Sequence, residues 1–161
     1  MKSLRIYVDT SVLGGCFDPE FERWSVGLIE DFRTSRFRPV LSELTAAEAL
    51  RAPDCVRDLY AEVLDQGAEM LSVDSEALAL REIYRSRGVL GIRFSADMLH
   101  IAVATIADVD VLVSWNFRHI VRLDKIRLFN GINLEQGYKG LTICSPREVT
   151  VLGRDEGDQG S

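Results

Sequence analysis

Soft-metal chemistry has almost nothing to work with in this chain. It has two histidines and three cysteines, and Cys16, Cys55 and Cys144 are odd in number, far apart and never in a Cys-x-x-Cys pair. That spacing excludes a zinc site or a disulfide frame and leaves the three as small buried or half-buried residues. No apolar run approaches the roughly 20 residues that cross a bilayer. The run near the N-terminus breaks at Asp9, so it is no signal peptide, and a cytoplasmic location is the default expectation. An excess of basic charge is missing as well. The net charge of -6 counts against a broad nucleic-acid surface, although acids gathered at a metal site would lower the total by themselves and leave basic residues on one face.

What is present reads as one α/β domain. Hydrophobic residues at 47% and charged ones at 27% exclude a disordered chain, and 161 residues can bury a core without disulfides. Short apolar runs alternate with helical periods, the βα signature of a parallel sheet. The expected strands are Leu4–Val8, Pro39–Ser42, Glu69–Val73, Val111–Ser114 and Leu141–Cys144. Phe21, Trp24, Leu28, Ile29 and Phe32 share one helical face, Pro53 opens a further helix, and another spans about Asp74 to Arg87. From Ser95 to Ala107 almost no polar face remains, which predicts a buried helix capped by Ser95. Ser145-Pro146-Arg147-Glu148 has the form of a capping box. The domain is expected over residues 1–152, and residues 153–161, without an apolar side chain, read as a frayed tail.

Three acids carry the chemistry. Asp9 ends the first apolar strand at a strand-to-helix turn, where α/β sheets bind ligands; the same position suits an ordinary helix N-cap. Glu48 shares a mostly apolar helical face with Leu44 and Ala47, although Thr45-x-x-Glu48 also has capping-box form. Asp97 opens the buried helix; there it either compensates the helix dipole or marks a place where the core meets a crevice. His100, three residues on, either bonds Asp97 or packs, and packing is the favoured reading. Asn116 reads as a turn residue whose amide oxygen, like the Ser114 hydroxyl, is placed to hold a water. Acids delivered to one end of a sheet repel unless a cation joins them, and oxygen donors select Mg²⁺ or Mn²⁺.

The blocks Val8-Asp9-Thr10-Ser11-Val12-Leu13, Ser42-x-x-Thr45-x-x-Glu48, Asp97-Met98-Leu99-His100-Ile101-Ala102 and Ser114-Trp115-Asn116-Phe117-Arg118-His119 resemble the PIN domain. The resemblance runs from Leu4 to about Pro146. It implies an α/β/α sandwich around a parallel sheet of about five strands, in agreement with the alternation above. It further implies a Mg²⁺- or Mn²⁺-dependent ribonuclease, in bacteria often the toxin of a VapC-type toxin–antitoxin pair. The family's metal-binding acids fall on Asp9, Glu48 and Asp97. Asn116 stands where many members carry another Asp, one negative charge fewer for a second metal. Partners implied are an RNA substrate, an antitoxin protein and a second copy of the chain, with no membrane.

Asp9, Glu48, Asp97 and Asn116 are therefore the expected catalytic set, with Ser114, Arg93 and Arg118 toward substrate. Lys125 and the rings of Trp115 and Phe117 are weaker candidates, read first as a solvated charge and as core. Attack by metal-activated water would leave a 5′-phosphate and needs no 2′-hydroxyl, so the preference for RNA comes from the resemblance. A haloacid-dehalogenase phosphatase would need a second Asp where Ser11 stands, and a receiver module would need acids where Tyr7 and Val8 stand. The stronger rival is a PIN-like module that binds RNA or a protein without cutting.

Overall fold

Ile6, Tyr7 and Val8 are consecutive, and each is wholly buried. A strand buried on both faces belongs inside a parallel sheet with helices on either side. A computed structural model, which describes residues 3–150, has that architecture. Strands β1 (Leu4–Val8), β2 (Phe37–Ser42), β3 (Glu69–Leu71), β4 (Val111–Val113) and β5 (Ile143–Cys144) are all parallel, in the order β3-β2-β1-β4-β5. Alternation sends Tyr7, Val40 and Leu112 to one face and Ile6, Val8, Leu41, Val111 and Val113 to the other. Helices α1 (Thr10–Gly15), α2 (Glu22–Arg33) and α4 (Asp54–Asp65) cover the second face; α5 (Ser75–Ser86), α6 (Ser95–Ile106) and α7 (Leu123–Glu135) cover the first. The short α3 (Glu43–Leu50) follows β2, and α8 (Pro146–Val149) follows β5. This is the expected three-layer α/β/α sandwich.

Several boundaries move. β2 starts two residues before Pro39, while β3, β4 and β5 are shorter than the apolar runs that suggested them. The buried helix is as expected, with every side chain from Met98 to Thr105 inside. Its cap is not: a 3-10 turn, Ile92–Phe94, runs straight into it, Phe94 takes the cap position, and Ser95 Oγ donates to Ile92 O at 2.7 Å. α7 was not anticipated, because Ile126, Phe129 and Ile132 are diluted by Asn130, Gly131 and exposed Leu128 and Leu134. The capping box at Ser145 and Glu148 forms as read. Cys16 is buried and Cys144 half-buried, but Cys55 is exposed on α4, which corrects the expectation of a buried or half-buried thiol there. No helix among the described residues is long and apolar enough to cross a membrane. The tail expected at 153–161 lies outside the described residues.

Chain order reverses at β1. From there the sheet grows through β2 and β3 on one side and through β4 and β5 on the other. At such a switch point the loops leaving the two central strands part, and a crevice opens at their carboxyl ends. Asp9 follows β1 there, and Ser114 follows β4.

One close approach fixes the crevice wall. A Cβ at Gly15, the last residue of α1, would lie 2.5 Å from Ser25 Oγ and 2.6 Å from Trp115 Nε1. Those two atoms bond each other at 2.8 Å, and Ser25 Oγ in turn donates to Val12 O at 2.8 Å. Gly15→Ala is therefore expected to destabilise the fold by roughly 1–3 kcal/mol through overpacking, read by urea unfolding. Gly14→Ala, where nothing lies within 4 Å, is the control and should match or exceed the wild type.

Candidate active site

Asp9 caps α1 from extended backbone, its Oδ1 accepting from Val12 N at 3.3 Å. Capping is only part of its role. Oδ1 also accepts from Ser11 Oγ at 2.6 Å, and Oδ2 from Ser114 Oγ at 2.6 Å. With 5% of its surface exposed, burial raises the Asp9 pKa above the ordinary carboxylate value, against the opposing pull of His100 and the three donors. Ser114 is wholly buried, and its oxygen also accepts from Asn116 N at 2.9 Å. The hydroxyl expected to face substrate is instead spent holding Asp9, because the pairing of Val8 with Val113 sets the next residues, Asp9 and Ser114, side by side.

Glu48 reaches the same crevice from α3. Ser42 caps that helix through Thr45 N at 3.3 Å, so the alternative Thr45–Glu48 box does not form. Glu48 Oε1 accepts from Thr10 Oγ1 at 3.0 Å and lies 2.6 Å from His100 Nε2. His100 Nδ1 lies 2.6 Å from Tyr7 Oη, which is 2.8 Å from Ser42 Oγ. Burial opposes charge on the ring, but the Tyr7 oxygen, Glu48 and Asp9 outweigh it and raise the His100 pKa to about 10. As an imidazolium, its two N–H groups donate to Tyr7 and Glu48. Half-burial raises Glu48, yet the His100 hydrogen bond and charge, with Thr10 and Arg51, hold its pKa below the ordinary value. The packing role expected for His100 is thereby corrected: its bond goes to an acid 52 residues away rather than to Asp97 in its own helix.

Asp97 is the third residue of α6. Asn116 Nδ2 donates to its Oδ2 at 3.4 Å, and His119 Nδ1 lies 3.6 Å from the same oxygen. Asn116 Oδ1 is closed into a turn, accepting from Arg118 N at 3.2 Å and His119 N at 2.9 Å. The amide nitrogen, not the oxygen expected to hold a water, therefore meets the acid. Burial raises the Asp97 pKa; His100 and His119 oppose it, and the charges of Asp9 and Glu48 add to it. Hydrogen bonds link the three acids: Ser114 Oγ donates to Asp9 and accepts from Asn116 N, Asn116 Nδ2 donates to Asp97, and Thr10, next to Asp9, donates to Glu48. Tyr7, Thr10, Ser11 and His119 complete the setting. Arg93 and Arg118 are exposed near the Asp97 end: Arg93 sits 5.8 Å from the Phe94 ring centre, and that ring packs at 3.8 Å on His119. Lys125 Nζ donates to Val89 O and is structural.

Among the described residues, no three Asp, Glu, His or Cys side chains are arranged as a ready metal cage. The donors still have the chemistry of a hard-cation site. They are carboxylate oxygens, no lysine or arginine among the described residues forms an ion pair with them, and the histidine in their midst keeps both nitrogens occupied.

The PIN domain family profile matches residues 6–125. No curated protein matches the chain. Solved structures similar to it include VapBC2 from Rickettsia felis bound to a DNA fragment from their promoter, at 10% identity and TM-score 0.54 over 87% of this chain and 97% of that one. FitAcB from Neisseria gonorrhoeae is similar at 16% identity and TM-score 0.56, over 88% and 97%. FitAB bound to an IR36 DNA fragment gives 16% and 0.56, over 88% and 94%. At these identities the likeness is one of fold.

The pKa values of Asp9 and His100 are both raised in the fold, and each makes stability fall with rising pH over its own window. A buried acid with a raised folded pKa costs stability once pH exceeds its unfolded value of 3.8. Metal-free Asp9→Asn is thus expected to melt at or above the wild type at pH 7, by about 2–4 °C per kcal/mol relieved. His100 is raised, so its contribution is complete below 6.5 and lost as pH rises through about 10. Wild-type melting temperature should fall across that window, and the fall should be absent in His100→Gln. Because Glu48 keeps 34% of its side chain exposed, His100→Ala should cost roughly 2–3 kcal/mol, below the 3–5 of a fully buried pair. Calorimetry with a chelator, from pH 6 to 10, checks all three.

Proposed function

This chain belongs to the PIN domain family, and on that premise we propose that it is a Mg²⁺- or Mn²⁺-dependent endoribonuclease. What supports the reading is the hydrogen-bond chain that joins Asp9, Glu48 and Asp97 through Thr10, Ser114 and Asn116 at the sheet's switch point, with no lysine or arginine among the described residues in an ion pair with them. A divalent ion bound there would supply Lewis acidity, lowering the pKa of a bound water and neutralising non-bridging phosphate oxygens. Asp9, Glu48 and Asp97 are the residues that would hold it.

The protein's own contribution is orientation. Ser11 and Ser114 fix both oxygens of Asp9. The Tyr7–His100 pair and Thr10 hold Oε1 of Glu48. Asn116 and His119 steady Asp97. Such outer contacts keep ligand groups aligned without rearrangement during the reaction. Arg93 and Arg118 stand where a phosphate backbone approaching Asp97 would pass, and hydrolysis by water would leave a 5′-phosphate. The family resemblance further suggests a toxin held by an antitoxin protein, acting in the cytoplasm as a homodimer.

Purified protein given cellular RNA and Mg²⁺ or Mn²⁺ is expected to cut it, with the cuts mapped to the nucleotide. Asp9→Asn and Asp97→Asn should abolish cutting, and Ser114→Ala should cost roughly 10–100-fold. Unchanged activity in both acid variants would overturn the ligand assignment. RNA that is bound but never cut, with metal binding retained, would favour a non-cleaving module.

A further inference from the structure

Trp115 and Phe117 bracket Asn116 directly after β4, and their environments differ. Trp115 is buried, stacked on Phe21 with ring centres 4.2 Å apart and planes at 18°. Phe117 meets the Trp115 edge at 6.1 Å and 62° and leaves 49% of its surface in water. With Trp24 and Arg147 these rings wall a cavity of about 380 Å³, a volume in the range of small-ligand sites. The Arg147 guanidinium lies 5.0 Å from the Trp24 ring centre, and Trp24 Nε1 is buried with no acceptor among the described residues. Two acids also line the cavity. Glu148 is committed to Ser145 through N and Oγ, and Glu20 is exposed.

One serine joins this cavity to the acids. Trp115 N donates to Ser11 Oγ at 3.0 Å, and that hydroxyl donates to Asp9 at 2.6 Å. The aromatic wall is thus tied to the carboxylate crevice by two consecutive hydrogen bonds. We propose that the cavity takes an unstacked nucleobase of the single-stranded RNA cut at the acids, seated against Phe117. This rests on the nuclease reading. Every base has a π face, so such a seat tolerates sequence, and a base paired in a duplex could not enter it. Arg147 and Arg118 offer charge to the flanking phosphates.

The test uses short oligoribonucleotides carrying either an abasic ribose or 2-aminopurine at successive positions. Phe117→Ala is expected to raise KM by roughly 5- to 100-fold, the range one stacked base supplies, with kcat within about twofold, and Phe117→Trp should restore it. One abasic position should cost the wild type a similar factor and cost Phe117→Ala nothing more. 2-Aminopurine at that position should be quenched on binding to the wild type but not to Phe117→Ala. Unchanged KM in Phe117→Ala, or losses that multiply, would overturn the proposal while leaving the nuclease standing. Should the wild type cut no RNA, the nuclease reading fails and the quenching decides. Quenching that depends on Phe117 upholds a base seat, and its absence at every position overturns it.

Discussion

A buried carboxyl group with almost no water around it is the constraint on which this architecture turns. Removing such a group from solvent costs several kcal/mol, and each hydrogen bond to a charged group returns about 1.5–3. Asp9 receives three donors, from Val12 N, Ser11 Oγ and Ser114 Oγ. The terms are of the same size, and the upward direction of its pKa says that burial still wins. The folded chain therefore holds this acid in place by distributing the cost: two donors come from the first turn of the next helix and one from the neighbouring strand end. A fixed, under-compensated carboxylate is suited to an incoming cation.

The other two acids are pushed in different directions, and the reason lies in one ring. Glu48 touches His100 and is lowered; Asp97 feels that ring only at a distance and is raised. With its pKa near 10, His100 is charged at neutral pH. The neutral Asn116 donates to Asp97 and closes its own oxygen into the turn.

Much of this could be read from the chain because it depends on period and position. The β1 run, the two-faced alternation and the all-buried α6 follow from local patterning, and Asp9 follows from ending a central strand. What escaped depends on partners brought in by the fold. His100 sits three residues from Asp97, yet its neighbours are Glu48 and Tyr7, 52 and 93 residues away. Ser114 looked available to substrate until sheet register set it beside Asp9. The Ser95 cap failed because a 3-10 turn precedes the helix and reverses the role of its hydroxyl. Periodicity names a face; it does not name what lies across from that face.

The net charge of -6 looks unfavourable for RNA until distance is considered. At physiological salt the Debye length is about 8 Å, so acids on remote helices scarcely act on a phosphate at the crevice. Many of those acids are also locally matched: Arg33 with Glu62, Arg85 with Glu82, Arg87 with Glu135 and Arg122 with Asp124. Arg93 and Arg118, beside the Asp97 end of α6, form no ion pair among the described residues and stay exposed. A polyanion approaching there meets unpaired guanidinium groups before it meets carboxylates. On the proposed function, those carboxylates would become tolerable to it only once a cation lay between, so that metal binding and productive binding of the backbone would be a single coupled event.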